Sequence, residues 1–296
     1  MIAEGLRIRS REEARTVYRV RASERIKQLA YDATGLVVAA VMLFPIYWMV
    51  ITAFKPGRDI LTLAPKWFPA PFTLDNFKDA ITRPFFLDDV RNSLIVVGVM
   101  LALALVTAFL AAVGTARFGF RGRTGFLVMI IGVQMVPLNA LIIPLYMLLD
   151  NVNQVDALPG VIAVYLAVVL PFMIWTLRGF VANIPVELEE AAMIDGCTRV
   201  GAFFRITFPL VGPGLVATAI FGFIQAWNEY IIAYVLLSSP HNQTLTVWLA
   251  SFTTNHGPEW GPLMAAATLT GLPVVAFFLL LQRYLAGGLT AGAVKG

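Results

Sequence analysis

Six apolar blocks, each close to the length of a membrane crossing, are separated along the chain by polar, basic or proline-bearing segments. They run Thr34–Phe54, Ser93–Ala116, Gly125–Leu149, Pro159–Leu177, Gly214–Leu237 and Pro262–Tyr284. A helix needs about 20 mostly apolar residues to cross a hydrocarbon core of ~30 Å, so the pattern predicts six transmembrane helices in an all-α integral membrane protein. Pro45, Pro137, Pro144, Pro171 and Pro273 sit inside or near the middle of blocks. A proline inside a helix removes a hydrogen bond and crowds the preceding turn. Each is read either as a kink that opens space or hinges, or as static packing, which membrane helices also tolerate.

Composition agrees with lipid as the solvent for most of the chain. Of 296 residues, 58% are hydrophobic and 14% charged, with a mean hydropathy of +0.77. Soluble domains carry roughly 45–50% apolar and about 25% charged residues. Six soluble core helices would need a large polar shell, and the sequence has none. The single cysteine, Cys197, cannot form an internal disulfide and gives no redox compartment.

The basic residues set an orientation. Eight precede the first block: Arg7, Arg9, Arg11, Arg15, Arg19, Arg21, Arg25 and Lys27. With Arg117, Arg121, Arg123, Arg178, Arg199, Arg205, Arg283 and Lys295, sixteen fall on one side of the predicted membrane. Only six, Lys55, Arg58, Lys66, Lys78, Arg83 and Arg91, fall on the other. The positive-inside rule then predicts a multi-pass protein of the cell (inner) membrane with both termini cytoplasmic. The first block is too long for a signal-peptide core and reads as an uncleaved signal-anchor.

This divides the chain into a basic segment, 1–30, and a membrane domain, 31–296, with a cytoplasmic loop at 178–213 and a tail at 285–296. The basic segment reads equally as a helix on the anionic inner leaflet or as a disordered tail. The loop from Lys55 to Asn92, with Pro65, Pro69, Pro71 and mixed charges, predicts an ordered external cap. The loop from Ser238 to Gly261 holds His241, Asn242, Gln243, Trp248, Asn255, His256 and Trp260, a polar and aromatic mix suited to contacts.

The cytoplasmic loop carries the most information. In Ile184-Pro185-Val186-Glu187-Leu188-Glu189-Glu190-Ala191-Ala192-Met193-Ile194-Asp195-Gly196, Pro185 suits a first helical position. The acidic residues sit where the helix dipole favours negative charge, and Gly196 is a natural stop, predicted at positive φ. A second short helix is predicted from about Thr198 to Ile206, before Pro209. The expected shape is two short helices meeting at a right-angle turn on the cytoplasmic surface. Ala191 and Ala192 would form a low-relief face that a partner can approach.

Glu190-Ala191-Ala192, Gly196 and then Ile206-Thr207-Phe208-Pro209 resemble the EAA motif of ABC importer permeases, with Phe208 in place of a leucine. Phe72-Thr73-Leu74-Asp75-Asn76-Phe77, Asn92-Ser93-Leu94, Ala226-Trp227-Asn228-Glu229 and the tail Gly288–Gly296 resemble the carbohydrate branch, in particular the maltose-type second permease (MalG-like). The resemblance implies the type I importer permease fold (MetI-like) and a non-catalytic subunit of an ATP-driven, binding-protein-dependent sugar importer. It implies a second, MalF-like permease, two ABC ATPase subunits and an extracytoplasmic solute-binding protein as partners, besides membrane lipid and with no nucleic acid. By resemblance, Glu190, Ala191, Ala192, Asp195, Gly196 and Pro209 couple to the ATPase. The tail residues Gly292, Lys295 and Gly296 reach the ATPase dimer, and His241, Asn242, Gln243 and Trp248 meet the binding protein.

ATP and magnesium are expected on the partners. Gly287 to Lys295 only loosely resembles a P-loop, since Val294 precedes Lys295 and Gly296 stands where a Ser or Thr would hold magnesium. His241 and His256 lack metal-ligand spacing, and no nucleophile motif is present. The competing reading, a membrane enzyme acting on lipid-linked sugars, would demand a polar catalytic cluster near a membrane face. Inside the blocks the conspicuous polar residues are Gln134, Asn139, Gln225, Asn228 and Glu229. With Glu229 placed well within the fifth span, Gln225 and Glu229 share a face at i, i+4. That predicts either a sugar pathway, with Asn228 beside it, or an inter-helix packing clamp.

Overall fold

The computed structural model describes the backbone of residues 2–292 and the side chains of residues 27–284. α1 (Ile2–Ala53) is one helix, so the basic N-terminal segment runs on into the first span, Lys27–Ala53. α3 (Phe86–Arg117), α6 (Leu158–Ala182), the run Arg199–Trp227 and the apolar part of α12 (Trp260–Gly292) are also long and apolar enough to cross a membrane. A sixth crossing is formed by α4 (Arg123–Gln134), a short 3-10 turn, and α5 (Ile142–Asn151) when this bent pair counts as one.

The centre of the bundle is the pair α3 and α6, which run in the same direction: both start at the end that holds His241 and Asn242, and both finish beside Glu189. α3 buries Val96, Met100, Ala104, Ala108 and Ala112, and α6 buries Val161, Tyr165, Val169, Met173, Leu177 and Val181. Both stripes repeat every four residues, so the i±4 ridges of each helix face the other. The alanines on α3 let the backbones approach, which is how membrane helices gain packing where lipid removes the hydrophobic drive. α9 (Phe208–Trp227) packs against both. α1 and α12 lie outside this core with apolar faces outward, among them Leu36, Val41 and Met42 on one and Leu272, Leu279 and Leu280 on the other.

Two of the predicted spans are corrected. The block Gly125–Leu149 is not one helix; its halves meet at 92°. α4 stops at Gln134, and Pro137 takes an extended conformation (φ −65°, ψ 121°) with no N–H to continue the ladder. The block Gly214–Leu237 is broken as well. α9 ends at Trp227, and α10 (Ile231–Leu236) is a separate helix. The break comes from local polar chemistry. The Asn228 amide donates back to the Ile224 carbonyl (2.8 Å), while the Glu229 carboxylate accepts the N–H groups of Ile232 and Ala233 (2.9 and 3.2 Å). Those are donors that the first turn of α10 leaves without helical partners. Glu229 therefore lies outside the fifth span and shares no helical face with Gln225.

The external cap is ordered. α2 (Asp75–Thr82) is pinned by Asn76, whose amide donates to the carbonyls of Ala53 and Lys55, each at 2.8 Å. Arg83 reaches Glu259 (2.9 Å) and the Ser251 carbonyl (2.9 Å), tying the cap to the loop before α12. That loop contains α11 (Leu245–Ala250) and a two-residue antiparallel hairpin, Thr253–Thr254 with Gly257–Pro258.

Candidate functional site

The loop after α6 folds around one short exposed helix, α7 (Val186–Ile194). Pro185 stands just before the first turn, with Glu187 and Glu189 in that turn. α7 ends in a Schellman closure. The Cys197 N–H donates to the Ala192 carbonyl (3.0 Å) and the Gly196 N–H to the Met193 carbonyl (3.1 Å), with Gly196 at φ +91°. The glycine is required by this left-handed residue rather than by crowding, since a Cβ there would meet no heavy atom within 4 Å. Thr198 caps the next helix through its hydroxyl, which accepts the Gly201 N–H at 3.1 Å.

The second helix differs from expectation. It does not stop before Pro209. α8 (Arg199–Ala202) passes through a π turn, Phe203–Thr207, directly into α9. Pro209 falls in the first turn after the change of ladder, where a missing N–H costs least. The supposed surface helix is thus the entry to the fifth span.

Glu190, Ala191, Asp195, Gly196 and Pro209 are exposed, and Ala192 is half-buried. Apolar side chains flank them in the open, with Ile194 87%, Val200 66% and Phe204 58% exposed. An exposed α-helix with small residues and uncovered apolar side chains beside it has the chemistry of an interaction surface. Beneath it lie three residues that sequence reasoning did not single out together. The Arg117 guanidinium stands 3.0 Å from the Glu189 carboxylate, and the same oxygen accepts the Thr207 hydroxyl at 2.6 Å. Arg117 and Thr207 are far from Glu189 in sequence. The only signal was the acid in the first turn, and that has a sufficient explanation in the helix dipole.

A cleft of ≈490 Å³ opens at the bend between α4 and α5, lined by Gln134, Pro137, Val164, Phe172, Phe221 and Gln225 among others. The rings of Phe172 and Phe221 stack with centroids 3.8 Å apart. Of the polar candidates, the fold brings Gln225 and Gln134 to this cleft. It does not bring Asn228 or Glu229 there. Besides capping α10, the Glu229 carboxylate accepts the Tyr165 hydroxyl at 2.8 Å, and its backbone carbonyl accepts Thr246 Oγ1 at 2.7 Å.

At the opposite end, the four residues predicted to meet a binding protein have different environments. The His241 side chain is 72% exposed and its Nδ1 lies 3.0 Å from Asp88. The Asn242 amide donates to the Asp156 carbonyl (2.7 Å), and the Gln243 carbonyl accepts the Asn92 amide (2.9 Å). Trp248 is only 2% exposed, packed against Phe86 and Phe252. It is a core residue, so its expected role in surface contact is corrected. An aromatic in a polar stretch does not reveal from sequence which side of the loop faces inward. In the tail, Lys295 and Gly296 lie outside the described residues, and Gly292 is the last helical residue of α12.

Bundle and site together define a polytopic helical membrane protein with an exposed helical loop at one end. Residues 104–290 match the family described as binding-protein-dependent transport system inner membrane component, and the chain belongs to that family. It is a permease subunit, and the reading as an enzyme of lipid-linked sugars is set aside. Among its relatives, the diacetylchitobiose uptake system permease protein DasC of Streptomyces coelicolor is 44% identical, over 90% of this chain and 96% of its own. The trehalose/maltose transport system permease protein MalG of Thermococcus litoralis is 31% identical over 92% and 99%. The crystal structure of a bacterial ABC transporter involved in the import of the acidic polysaccharide alginate includes a chain of the same fold. It superposes with a TM-score of 0.74 at 19% identity, covering 88% of this chain and 97% of that one.

Proposed function

We propose that this chain forms half of the membrane pathway of an ATP-driven oligosaccharide importer, and that it couples to an ATPase through α7. The observation that carries the reading is the form of the docking loop: an exposed helix closed at Gly196 by a left-handed residue, with Glu190, Ala191 and Ala192 on it and uncovered apolar side chains around it. The oligosaccharide cargo is supported by the diacetylchitobiose and trehalose/maltose systems among the relatives. A second, homologous permease covers the outward apolar faces that lipid does not. Two ATPase subunits hold ATP and magnesium and receive α7 together with the tail at Gly292, Lys295 and Gly296. An extracytoplasmic binding protein delivers sugar at the end formed by α2, α11 and His241. The sixteen basic residues on the α7 side support a cytoplasmic location for that side and for both termini.

Inside the membrane, Gln134 and Gln225 offer amide donors and acceptors to sugar hydroxyls, and the apolar walls and Phe172–Phe221 pair meet the sugar's C–H faces. Glu229, closed by its own partners, holds the pathway's wall. The test is reconstitution. ATP hydrolysis and sugar uptake are expected only when this chain is combined with a second permease, the ATPase and the binding protein. Robust ATP hydrolysis by this chain alone would sink the proposal.

A further inference from the structure

We propose that Arg117, Glu189 and Thr207 form a latch that carries movement of the docking helix into the transport cleft, which makes Glu189 a positioning residue for coupled transport. The inference rests on the permease reading above. No residue of α7 is buried, so α7 has no apolar knob seated in the bundle. Its deepest polar tie is Glu189, whose side chain is 16% exposed, against 10% for Arg117. One carboxylate oxygen faces both neighbours: it accepts the Thr207 hydroxyl at 2.6 Å and lies 3.0 Å from Arg117 Nε, an ion pair without a directed hydrogen bond. A half-buried ion pair of this kind resists separation, because opening it strands a desolvated charge.

The two neighbours belong to different spans. Arg117 is the last residue of α3, the central helix packed along α6. Thr207 is fully buried and is the last residue of the π turn. From Thr207, α9 runs unbroken to Trp227 and carries Phe221 and Gln225 to the cleft. At 1.5 Å per residue, the rod from Thr207 to Phe221 is about 21 Å long. A push on α7 therefore enters α9 at its base and reaches the cleft without crossing a loop. The π turn beside Thr207 is a local change of ladder of the kind found at functional sites, and it gives the rod a joint at the place where the latch grips.

The experiment uses the complete complex in proteoliposomes, with sugar uptake and ATP hydrolysis measured together. In Glu189→Gln the complex assembles and hydrolyses ATP, but sugar moved per ATP falls about tenfold, a typical size for coupling between sites. Thr207→Val, which keeps the shape and removes the hydroxyl, lowers the same ratio by a smaller factor. Exchanging the charges, Arg117→Glu with Glu189→Arg, restores part of it. An unchanged ratio in Glu189→Gln overturns the latch. Release of the ATPase from that variant also overturns it, because Glu189 would then be a docking residue. If Glu189→Gln does not fold, Thr207→Val decides, and a wild-type ratio there overturns the latch. A wild-type complex that hydrolyses ATP without moving sugar would fail the permease reading instead.

Discussion

The two ends of the fifth span are both closed by a glutamate, in different ways. At the end after Trp227, the Glu229 carboxylate takes three donors: the N–H of Ile232, the N–H of Ala233 and the Tyr165 hydroxyl. Its backbone carbonyl takes Thr246 as a fourth tie. At the end before Phe208, one oxygen of Glu189 accepts the Thr207 hydroxyl and pairs by charge with Arg117, and the helix that bears Glu189 has no buried residue. The first arrangement satisfies backbone donors that have nowhere else to go. The second joins side chains across three elements and sits beside a π turn and a left-handed glycine.

The difference assigns mechanical roles. An end whose polar groups are all satisfied locally opens only at the cost of several buried hydrogen bonds. An end held by one carboxylate, with a change of ladder next to it, can move as a lever while its contact stays closed. The Glu229 end is thus the fixed point of α9 and the Glu189 end its handle. The cleft, lined by Phe221 and Gln225, lies toward the fixed end of the same rod.

The largest effect is expected at the handle. In Gly196→Asp the new Cβ meets nothing within 4 Å, so the left-handed residue costs only about 1–2 kcal/mol. The chain should still insert. The added charge beside Asp195, at the carbonyl end of α7, opposes the dipole and alters the docking face. Transport should be lost, with a fall in crosslinking of a cysteine placed at Ala192 to the ATPase. Gly196→Asn separates strain from charge: it tolerates the same φ without the charge and should retain most uptake. Wild-type uptake in Gly196→Asp would show that α7 is not the docking helix.

Next comes the fixed end. Glu229→Ala removes the cap of α10 and the acceptor of a buried tyrosine at once. The loss is expected at about 2–4 kcal/mol from the stranded donors, seen as reduced yield and a lower melting temperature of the purified complex. Glu229→Gln keeps an acceptor and should fall between. If Glu229→Ala melts like the wild type while transport fails, Glu229 lines the pathway and the contrast between the two ends collapses.

These roles were only partly legible in the sequence. The apolar blocks, the turn at Gly196 and the ordered cap follow from local chemistry, and the fold has them. The break after Trp227 is hidden because hydrophobicity runs on through Ile231–Leu236, and no window average sees a carboxylate turning back to cap the next helix. The bend at Pro137 is hidden in another way. Pro144, Pro171 and Pro273 stand within helices that continue through or past them, so proline alone does not say which span breaks. Sequence predicts that the second helix of the loop ends before Pro209, because the π turn that carries it onward has no sequence signature. Arg117 with Glu189 and Thr207 is a tertiary fact, set by where α3 ends against α7.

The smallest effect concerns pH at the fixed end. Asp156, in the turn between α5 and α6, accepts the N–H groups of Ser238 (3.0 Å) and Ser239 (2.9 Å) and the Ser239 hydroxyl, pinning the segment after α10. Burial alone would raise its pKa. The Ser239 hydroxyl and amide, the Asn242 amide and the Ser238 amide outweigh that and hold it below its ordinary 3.8. The folded carboxyl therefore titrates below the unfolded one. Its contribution to stability is complete above the unfolded value and is lost as pH falls through the folded value. For a partly exposed group the amount is at most about 1 kcal/mol after screening. Asp156 has φ +56°, a left-handed conformation that asparagine also accepts, so Asp156→Asn preserves the backbone. The variant should melt slightly below the wild type near neutral pH, and the gap should close as the medium is taken below about pH 4. A gap that stays constant across that range would mean that Asp156 holds the turn by shape and not by charge.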